Sequence, residues 1–123
     1  MKRVAHGVFE GLPLTPAIET EQFVFVTGEV GSRPDGSYPT DIAEQTRITL
    51  DKLAALLAQA GSSLAGVVKT TVFMTDLGEF AAMNAVYSTY FPVEPPTRST
   101  IGVAGLVDAG CRVEIEAIAI KPT

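Results

Sequence analysis

Apolar and polar positions follow two different periods along this chain. The segment Phe23–Thr27 is β-branched or aromatic throughout, which predicts a buried strand that ends in a bend at Gly28. From Asp41 onward, apolar residues recur every three or four positions for about 20 residues, which predicts an amphipathic helix. Asp41 and Glu44 have capping-box spacing at its start, and Gly61 supplies a left-handed residue at its end.

A second strand and a second helix follow. Val67–Met74 has the strongest β propensity in the chain and predicts a strand. The next helix is predicted from apolar residues at helical spacing, which are Phe80, Met83, Tyr87 and Tyr90. Asp76 is placed to cap this helix and Pro92 to stop it. The pattern therefore predicts a strand–helix–strand–helix succession.

The last third of the chain returns to a period of two. Residues 98–103 and 111–120 are predicted strands, and the odd positions of the second are all apolar. This order predicts an α+β domain spanning residues 1–123, with two helices on one face of a sheet. The other face ends in Ile118 and Ile120 and is too apolar for water, so we expect a homo-oligomer.

Composition narrows the class of protein. Apolar residues make up 46% of the chain and charged residues 19%, which is typical of a globular domain without a membrane span. A single cysteine favours a reducing compartment, so a cytoplasmic location is expected. The net charge of −5 disfavours nucleic acid as a partner. One histidine and one cysteine make a metal site unexpected.

A few polar residues within the predicted strands are candidates for chemistry. Arg98 could bind a carboxylate through two parallel hydrogen bonds, or it could form a surface ion pair. Glu114 and Glu116 share one face, so one pKa could be raised for acid–base work, although the spacing alone favours a solvated polar edge. Lys69 is best interpreted as an interface or snorkelling residue.

The lone histidine and cysteine have simpler interpretations. His6 has no nucleophile at a recognisable spacing, which favours a surface role. Cys111 lies on the apolar face of its predicted strand and is expected to be a small buried hydrophobe. Neither residue is therefore predicted to react.

Several ordered motifs cover the chain from Phe23 onward. They are Thr27-Gly28-Glu29, residues 68–77 (VKTTVFMTDL), Phe80 with residues 83–87 (MNAVY) and Phe91, Pro96-Thr97-Arg98-Ser99 with Val103, and residues 113–119 (VEIEAIA). In type, order and separation they resemble the Rid family, the YjgF-like reactive intermediate deaminases.

The resemblance implies a chorismate-mutase-like α+β fold, assembled as a homotrimer with clefts between neighbouring subunits. Such proteins hydrolyse 2-enamino and 2-imino acids, such as 2-aminoacrylate and 2-iminopropionate, to 2-keto acids and ammonia without a cofactor. By position, Arg98 matches the arginine that binds the substrate carboxylate, and Glu114 the glutamate that works with water. The match also places four residues in the substrate cleft, namely Thr27, Lys69, Asn84 and Thr100.

The chain departs from the best-defined deaminases of this family. Leu14 follows Pro13 where those proteins have a tyrosine, and Thr100 stands where a cysteine is common. These changes leave open a larger or more apolar imine as substrate. The alternatives are a non-catalytic carboxylate-binding or chaperone-like trimer and, less favoured, an endoribonuclease or translation inhibitor. The acidic charge argues against the last, because phosphate contacts depend on Lys and Arg.

Overall fold

The computed structural model describes residues 1–122, which contain six strands and two α-helices. The strands are β1 (Val4–His6), β2 (Ala17–Glu19), β3 (Phe23–Val30), β4 (Val67–Met74), β5 (Thr97–Gly102) and β6 (Val113–Ile120). The helices are α1 (Ile42–Gln59) and α2 (Phe80–Tyr90). Two short 3₁₀ turns, Leu64–Gly66 and Leu77–Glu79, lead into β4 and α2.

The strands form one mixed sheet in the order β1-β2-β3-β6-β4-β5. β4 and β5 run parallel, with α2 in the connection between them, and the other neighbouring strands are antiparallel. β5 is therefore an edge strand, and one row of its backbone groups faces no other strand of residues 1–122.

The ends of α1 follow from local hydrogen bonding. Asp41 accepts a 3.0 Å hydrogen bond from the Ala43 backbone N–H, and Gly61 has a φ of 88°, as predicted for a residue just beyond a helix end. Glu44 pairs with Arg47 instead of returning to the Asp41 backbone. The capping box is thus half formed.

Gln45 is a fully buried polar residue that ties α1 to the start of β6. Its Nε2 donates to the carbonyl oxygens of Pro39 (2.8 Å) and Gly110 (2.9 Å). Its Oε1 accepts a 2.9 Å hydrogen bond from the Arg112 backbone N–H. Because each polar atom has a partner, burial of this amide costs little.

The core lies between the sheet and the two helices. The odd positions of β6 face this core, as predicted, and pack against Leu50, Leu53 and Leu57 of α1. The α+β class with its two helices on one face is confirmed. The opposite face, here called the outer face, exposes several large apolar side chains, including Phe23, Phe25, Val68, Ile101 and Ile120.

Two features of the sheet differ from the sequence prediction. The three-residue strands β1 and β2 were not predicted, because a segment so short has too few positions to display a period of two. The predicted bend at Gly28 is wrong, since β3 continues through it to Val30. The glycine instead marks a shift in the pairing of β3 with β6 between Val26 and Glu29.

Candidate active site

Arg98 extends over the helix-covered face of the sheet at its β5 edge. It lies opposite Thr70, which faces the core and shares a 2.7 Å hydrogen bond with the Tyr87 hydroxyl. The Arg98 guanidinium donates a 2.8 Å hydrogen bond from Nη1 to Asn84 Oδ1. Its Cζ lies 4.7 Å from the ring centroid of Tyr87 and 5.5 Å from that of Phe80. Three side chains of α2 therefore fix the guanidinium.

A cavity of about 410 Å³ opens beside this guanidinium. It is lined by Asn84, Tyr87, Ser88, Phe91, Pro95, Pro96 and Arg98. Arg98 is the one charged residue among them, so the cavity favours an anion. Thr100 is half-buried two positions further along the same face, opposite Val72.

Glu114 lies on the outer face of β6, opposite Phe73 of β4. Its carboxyl rests against the backbone of β3, because a Cβ added at Gly28 would collide with Glu114 Oε2. Partial burial raises the pKa of Glu114, and the charge of Glu116 raises it further. A carboxyl with a raised pKa is better matched to proton transfer near neutral pH.

Thr27 and Lys69 line a second cavity of about 300 Å³, also on the outer face. The Lys69 Nζ donates a weak 3.3 Å hydrogen bond to Thr71 Oγ1. Thr15 and Glu116 contribute further polar groups, among apolar walls formed by Ile18, Phe25, Val26, Ala117 and Ile118.

The predicted site residues therefore form two groups on opposite faces of the sheet. Arg98, Asn84 and Thr100 lie on the helix-covered side of the β5 edge. Thr27, Lys69 and Glu114 lie on the outer face. Within one chain, Arg98 and Glu114 cannot contact the same small molecule, because the sheet separates them.

Sequence reasoning missed part of this arrangement. It interpreted Phe80 and Tyr87 as core residues of α2, although both rings also support the Arg98 guanidinium. It also ended the first predicted strand in a bend at Gly28, whereas Glu29 lies inside β3 and pairs with Ile115 of β6. In the sequence, only the Thr27-Gly28-Glu29 motif marked this part of the chain as part of the family resemblance. Nothing in that motif indicates the bulge in β3.

His6 and Cys111 have structural roles. His6 Nε2 lies 2.9 Å from Glu19 Oε1 and helps join β1 to β2. Cys111 is buried, its thiol donates a 3.4 Å hydrogen bond to the Val113 carbonyl, and burial raises the pKa of that thiol. The thiol is therefore protonated at neutral pH and poorly nucleophilic.

Several known proteins are similar to this chain in sequence or in fold. "Protein mmf2, mitochondrial" of Schizosaccharomyces pombe is 40% identical over 113 residues, which cover 90% of each chain. The 2-iminobutanoate/2-iminopropanoate deaminase of Mus musculus is 36% identical over 111 residues, covering 89% of this chain and 82% of that protein. The crystal structure of Escherichia coli TdcF with bound serine superposes with a TM-score of 0.86 and 35% identity, covering 96% and 94% of the two chains.

The fold and site define a small α+β protein with one mixed sheet, one uncovered sheet face and an arginine held at the sheet edge. The chain belongs to the Endoribonuclease L-PSP family, whose model matches residues 11–121. The resemblance to the Rid and YjgF proteins is thereby confirmed. Within residues 1–122, no helix has the length and apolar character needed to cross a bilayer. The cytoplasmic location stays a prediction.

Proposed function

We propose that this protein hydrolyses reactive 2-enamino and 2-imino acids to 2-keto acids and ammonia. The proposal depends mainly on the Arg98 guanidinium, held beside a cavity by one hydrogen bond and two aromatic rings. Two comparisons support it, since the mouse relative bears the name of an imino-acid deaminase and the TdcF structure holds serine, which also has an α-carboxylate.

Arg98 binds the substrate carboxylate in this proposal. Asn84 occupies one Nη, which leaves the remaining N–H groups of the guanidinium to form parallel hydrogen bonds with two carboxylate oxygens. A guanidinium whose direction is already fixed orients the attached C=N carbon without a further loss of side-chain freedom.

In this proposal, Glu114 activates the attacking water and carries its proton to the imine nitrogen. An enamine first tautomerises to the imine. Glu114 then takes a proton from water as the C–O bond forms and the C=N π electrons move to nitrogen, and it returns that proton to the nitrogen. Glu114 then carries the carbinolamine hydroxyl proton to the amino nitrogen, and as the C=O bond forms the C–N bond breaks, which releases ammonia and leaves the keto acid. Because imines hydrolyse readily in water, orientation and one proton carrier suffice.

Two chains must contribute to each site, because Arg98 and Glu114 lie on opposite faces of the same sheet. A second copy can supply what the first lacks if its β5 edge, with Arg98, meets the outer face that carries Glu114. This contact joins two different surfaces of the chain. Repeating it from copy to copy therefore produces a closed ring when the rotation between neighbouring copies is a whole fraction of a full turn.

The proposed ring is a homotrimer, as the family resemblance implies. The outer face exposes Phe23, Phe25 and Ile120, which is unusual for a surface left in water. Covering that face with neighbouring copies removes these side chains from water. It also encloses Thr27 and Lys69 between chains, where we propose that they contact the substrate.

Complementation between two inactive variants tests this proposal. Ammonia release is measured from 2-aminoacrylate generated in situ by a dehydratase, and we expect Arg98→Ala and Glu114→Gln each to be inactive. When the two variants are unfolded together and refolded as a mixture, about a quarter of randomly assembled two-chain sites carry both intact residues. Activity should return in the mixture and not in either variant refolded alone.

The controls separate failure of the chemistry from failure of assembly. Inactivity of the wild type on several amino-acid-derived imines would refute the deaminase. An active wild type whose variants do not complement, although mixed oligomers form, would refute the two-chain site.

Carboxylate binding without turnover is the second candidate. Leu14, which stands where the best-defined deaminases have a tyrosine, directly precedes Thr15 of the cavity that Thr27 and Lys69 line, so the phenolic hydroxyl of that tyrosine is absent there. Calorimetric binding of a 2-keto acid that is lost in Arg98→Ala, together with no turnover of any imine, would favour this function.

Ribonuclease activity, which the family description names, is disfavoured by the net charge of −5. We expect repurified protein not to cleave RNA. Cleavage that persists through repurification and is lost in Arg98→Ala would reverse this expectation.

A further inference from the structure

Two cavities meet at Phe91, the residue that directly follows α2. One is the cavity of about 410 Å³ beside Arg98, here called the Arg98 cavity. The other, of about 230 Å³, lies beside the loop that follows α2, has Leu64 and Val93 among its walls and is here called the loop cavity. Phe91 and Pro96 line both cavities. These two side chains therefore form the wall that separates the loop cavity from the Arg98 cavity.

The Arg98 cavity is mainly apolar away from its guanidinium. The Asn84 side-chain oxygen already accepts a hydrogen bond from that guanidinium, and the Tyr87 hydroxyl is hydrogen-bonded in the core. The Ser88 hydroxyl donates a 3.0 Å hydrogen bond to a carbonyl of its own helix. The remaining walls are the hydrocarbon surfaces of Phe91 and two prolines. A ligand whose carboxylate is bound by Arg98 thus meets hydrocarbon beyond it.

The Arg98 cavity is also larger than the smallest proposed substrates require. Its volume is within the roughly 300–1,000 Å³ that is typical of pockets for drug-sized ligands. The imine of pyruvate, by contrast, has a single methyl group beyond its carboxylate and C=N groups. The three substituents of a trigonal imine carbon point away from one another. When the carboxylate binds Arg98 and the nitrogen faces Glu114 of a neighbouring copy, the side chain of the substrate is left to contact the cavity walls.

Phe91 is a firmly held part of these walls. Its side chain is only 6% exposed, and its ring centroid lies 4.8 Å from that of Tyr87. Tyr87 is itself fixed by the 2.7 Å hydrogen bond to Thr70. Pro92 restricts the backbone directly after Phe91. A ring with these contacts stays in place when a ligand enters, so it limits the depth of the Arg98 cavity.

We propose that Phe91 is a specificity-determining residue: it ends the side-chain pocket at a depth suited to a branched aliphatic side chain and separates that pocket from the loop cavity. This inference rests on the proposed function, because it takes the substrate carboxylate to be bound by Arg98. Each methylene fully buried against these walls raises affinity about fourfold. A smaller residue at position 91 extends the pocket into the loop cavity, which then admits an aromatic ring.

Binding of 2-keto acids tests the proposal without turnover. Calorimetry gives Kd for pyruvate, 4-methyl-2-oxopentanoate and phenylpyruvate on the full-length assembled protein. The wild type should bind 4-methyl-2-oxopentanoate about tenfold more tightly than pyruvate, and phenylpyruvate no more tightly than pyruvate. Phe91→Ala should raise the affinity for phenylpyruvate relative to pyruvate about tenfold. The ratio of the two Kd values is the readout, because a loosened Arg98 guanidinium would weaken both ligands alike.

Three further variants complete the design. Val93→Ala is the matched control, since Val93 is 78% exposed and lines the loop cavity but not the Arg98 cavity, so every ratio should equal that of the wild type. Ser88→Phe places a ring at the exposed rim of the Arg98 cavity and should remove the preference for 4-methyl-2-oxopentanoate. Truncating a buried phenylalanine is strongly destabilising. If circular dichroism shows that Phe91→Ala does not fold, Phe91→Leu decides, with a rise of about threefold expected.

Kinetics extend the test to the reaction. With imines generated in situ from alanine, leucine and phenylalanine by an amino-acid oxidase, with catalase present, kcat/KM of the wild type should be highest for the leucine imine. Equal wild-type Kd values for the three keto acids, a phenylpyruvate ratio that does not rise in the folded Phe91 variant, or a preference that survives Ser88→Phe would overturn the proposal. An inactive wild type that keeps the expected Kd ratios would refute the deaminase and still support the role of Phe91.

Discussion

Asn84 accepts a 2.8 Å hydrogen bond from the Arg98 guanidinium, so a helix residue fixes the direction of a side chain on the neighbouring edge strand. The Tyr87 ring lies against the same guanidinium from one helical turn further along α2. The Arg98 guanidinium is therefore held in one orientation before a ligand binds, which lowers the entropy lost on binding.

Replacing Asn84 should weaken carboxylate binding. Without Asn84 the ligand itself must order the guanidinium, which costs about 0.5–1.5 kcal/mol for one immobilised side chain, so Asn84→Ala should lower affinity for a 2-keto acid roughly two- to tenfold. The melting temperature should change little, because the bond is only partly buried. Calorimetric titration checks the affinity, with Thr89→Ala, on the same helix but outside that cavity, as a control whose affinity should equal that of the wild type. Equal affinities for wild type and Asn84→Ala would show that Asn84 does not position Arg98.

The hydrogen bond between Thr70 and Tyr87 is buried in the core, with the two hydroxyl oxygens 2.7 Å apart. Tyr87→Phe leaves the Thr70 hydroxyl without this partner, which should cost about 1–3 kcal/mol of unfolding free energy. Adding Thr70→Val should recover part of the loss, because the unpaired hydroxyl is removed. Denaturant unfolding of both single variants and the double variant measures the coupling. If the losses of unfolding free energy in the two single variants simply add in the double variant, the two hydroxyl groups are not coupled.

The periodic elements were predictable because each buries one continuous apolar face. α1 and β6 display that face over eight or more residues, enough to distinguish a period of 3.6 from a period of two, whereas β4 was predicted from its β propensity because its buried and exposed residues do not alternate. The β3 bulge was not predictable, since it depends on how Gly28 packs against Glu114 far along the chain. The separation of Arg98 from Glu114 depends on sheet pairing, which no local pattern encodes.

Gly28 should be required for the position of the Glu114 carboxyl. In Gly28→Ala the new Cβ collides with Glu114 Oε2, so the carboxyl must move. A displacement on the order of 1 Å at a catalytic group can reduce a rate about 100-fold, and we expect a loss of kcat of that order. Steady-state kinetics with 2-aminoacrylate measure it.

Two variants make the Gly28 result interpretable. Gly105→Ala serves as the matched control, because a Cβ there meets no atom within 4 Å, and its activity should equal that of the wild type. Shortening the acid in Gly28→Ala/Glu114→Asp should relieve the collision and recover part of kcat. An unimpaired Gly28→Ala would show that the Glu114 position is not critical.

Glu19 should make the stability of the protein depend on pH in the acid range. It contacts Lys121 Nζ (2.5 Å), Lys2 Nζ (2.8 Å) and His6 Nε2 (2.9 Å), which together join the N-terminal strands to the end of β6. Hydrogen bonds from Lys121, Lys2 and His6 lower the pKa of Glu19 to about 2. The folded pKa lies below the unfolded value of 4.5, so this stabilisation is complete above 4.5 and is lost as pH falls through 2.

Thermal melts of Glu19→Gln as a function of pH check this expectation. The wild type should melt at a higher temperature than the variant at neutral pH, and the difference should shrink as pH falls from the unfolded to the folded pKa. Glu21→Gln is the matched control, since the exposed Glu21 forms no ion pair within residues 1–122. A difference that is the same at every pH would mean that the charge of Glu19 does not contribute.

The outer face should hold the proposed trimer together. The Phe25 side chain is 44% exposed in one chain, and its ring centroid is 6.3 Å from that of Phe23, so both rings would be covered by a neighbouring copy. Phe25→Lys should leave each chain folded, because the side chain is outside the core, while the buried ammonium opposes association. Light scattering should show the mass falling from three chains to one.

Loss of the trimer should also remove activity, because Arg98 and Glu114 of a single chain cannot reach one substrate. Val107→Lys introduces the same charge at a residue that is 91% exposed in a loop, so it should leave both mass and activity unchanged. A monomeric Phe25→Lys that still deaminates would place the whole reaction within one chain and contradict the two-chain site. A trimeric and active Phe25→Lys would mean that the copies associate through another surface.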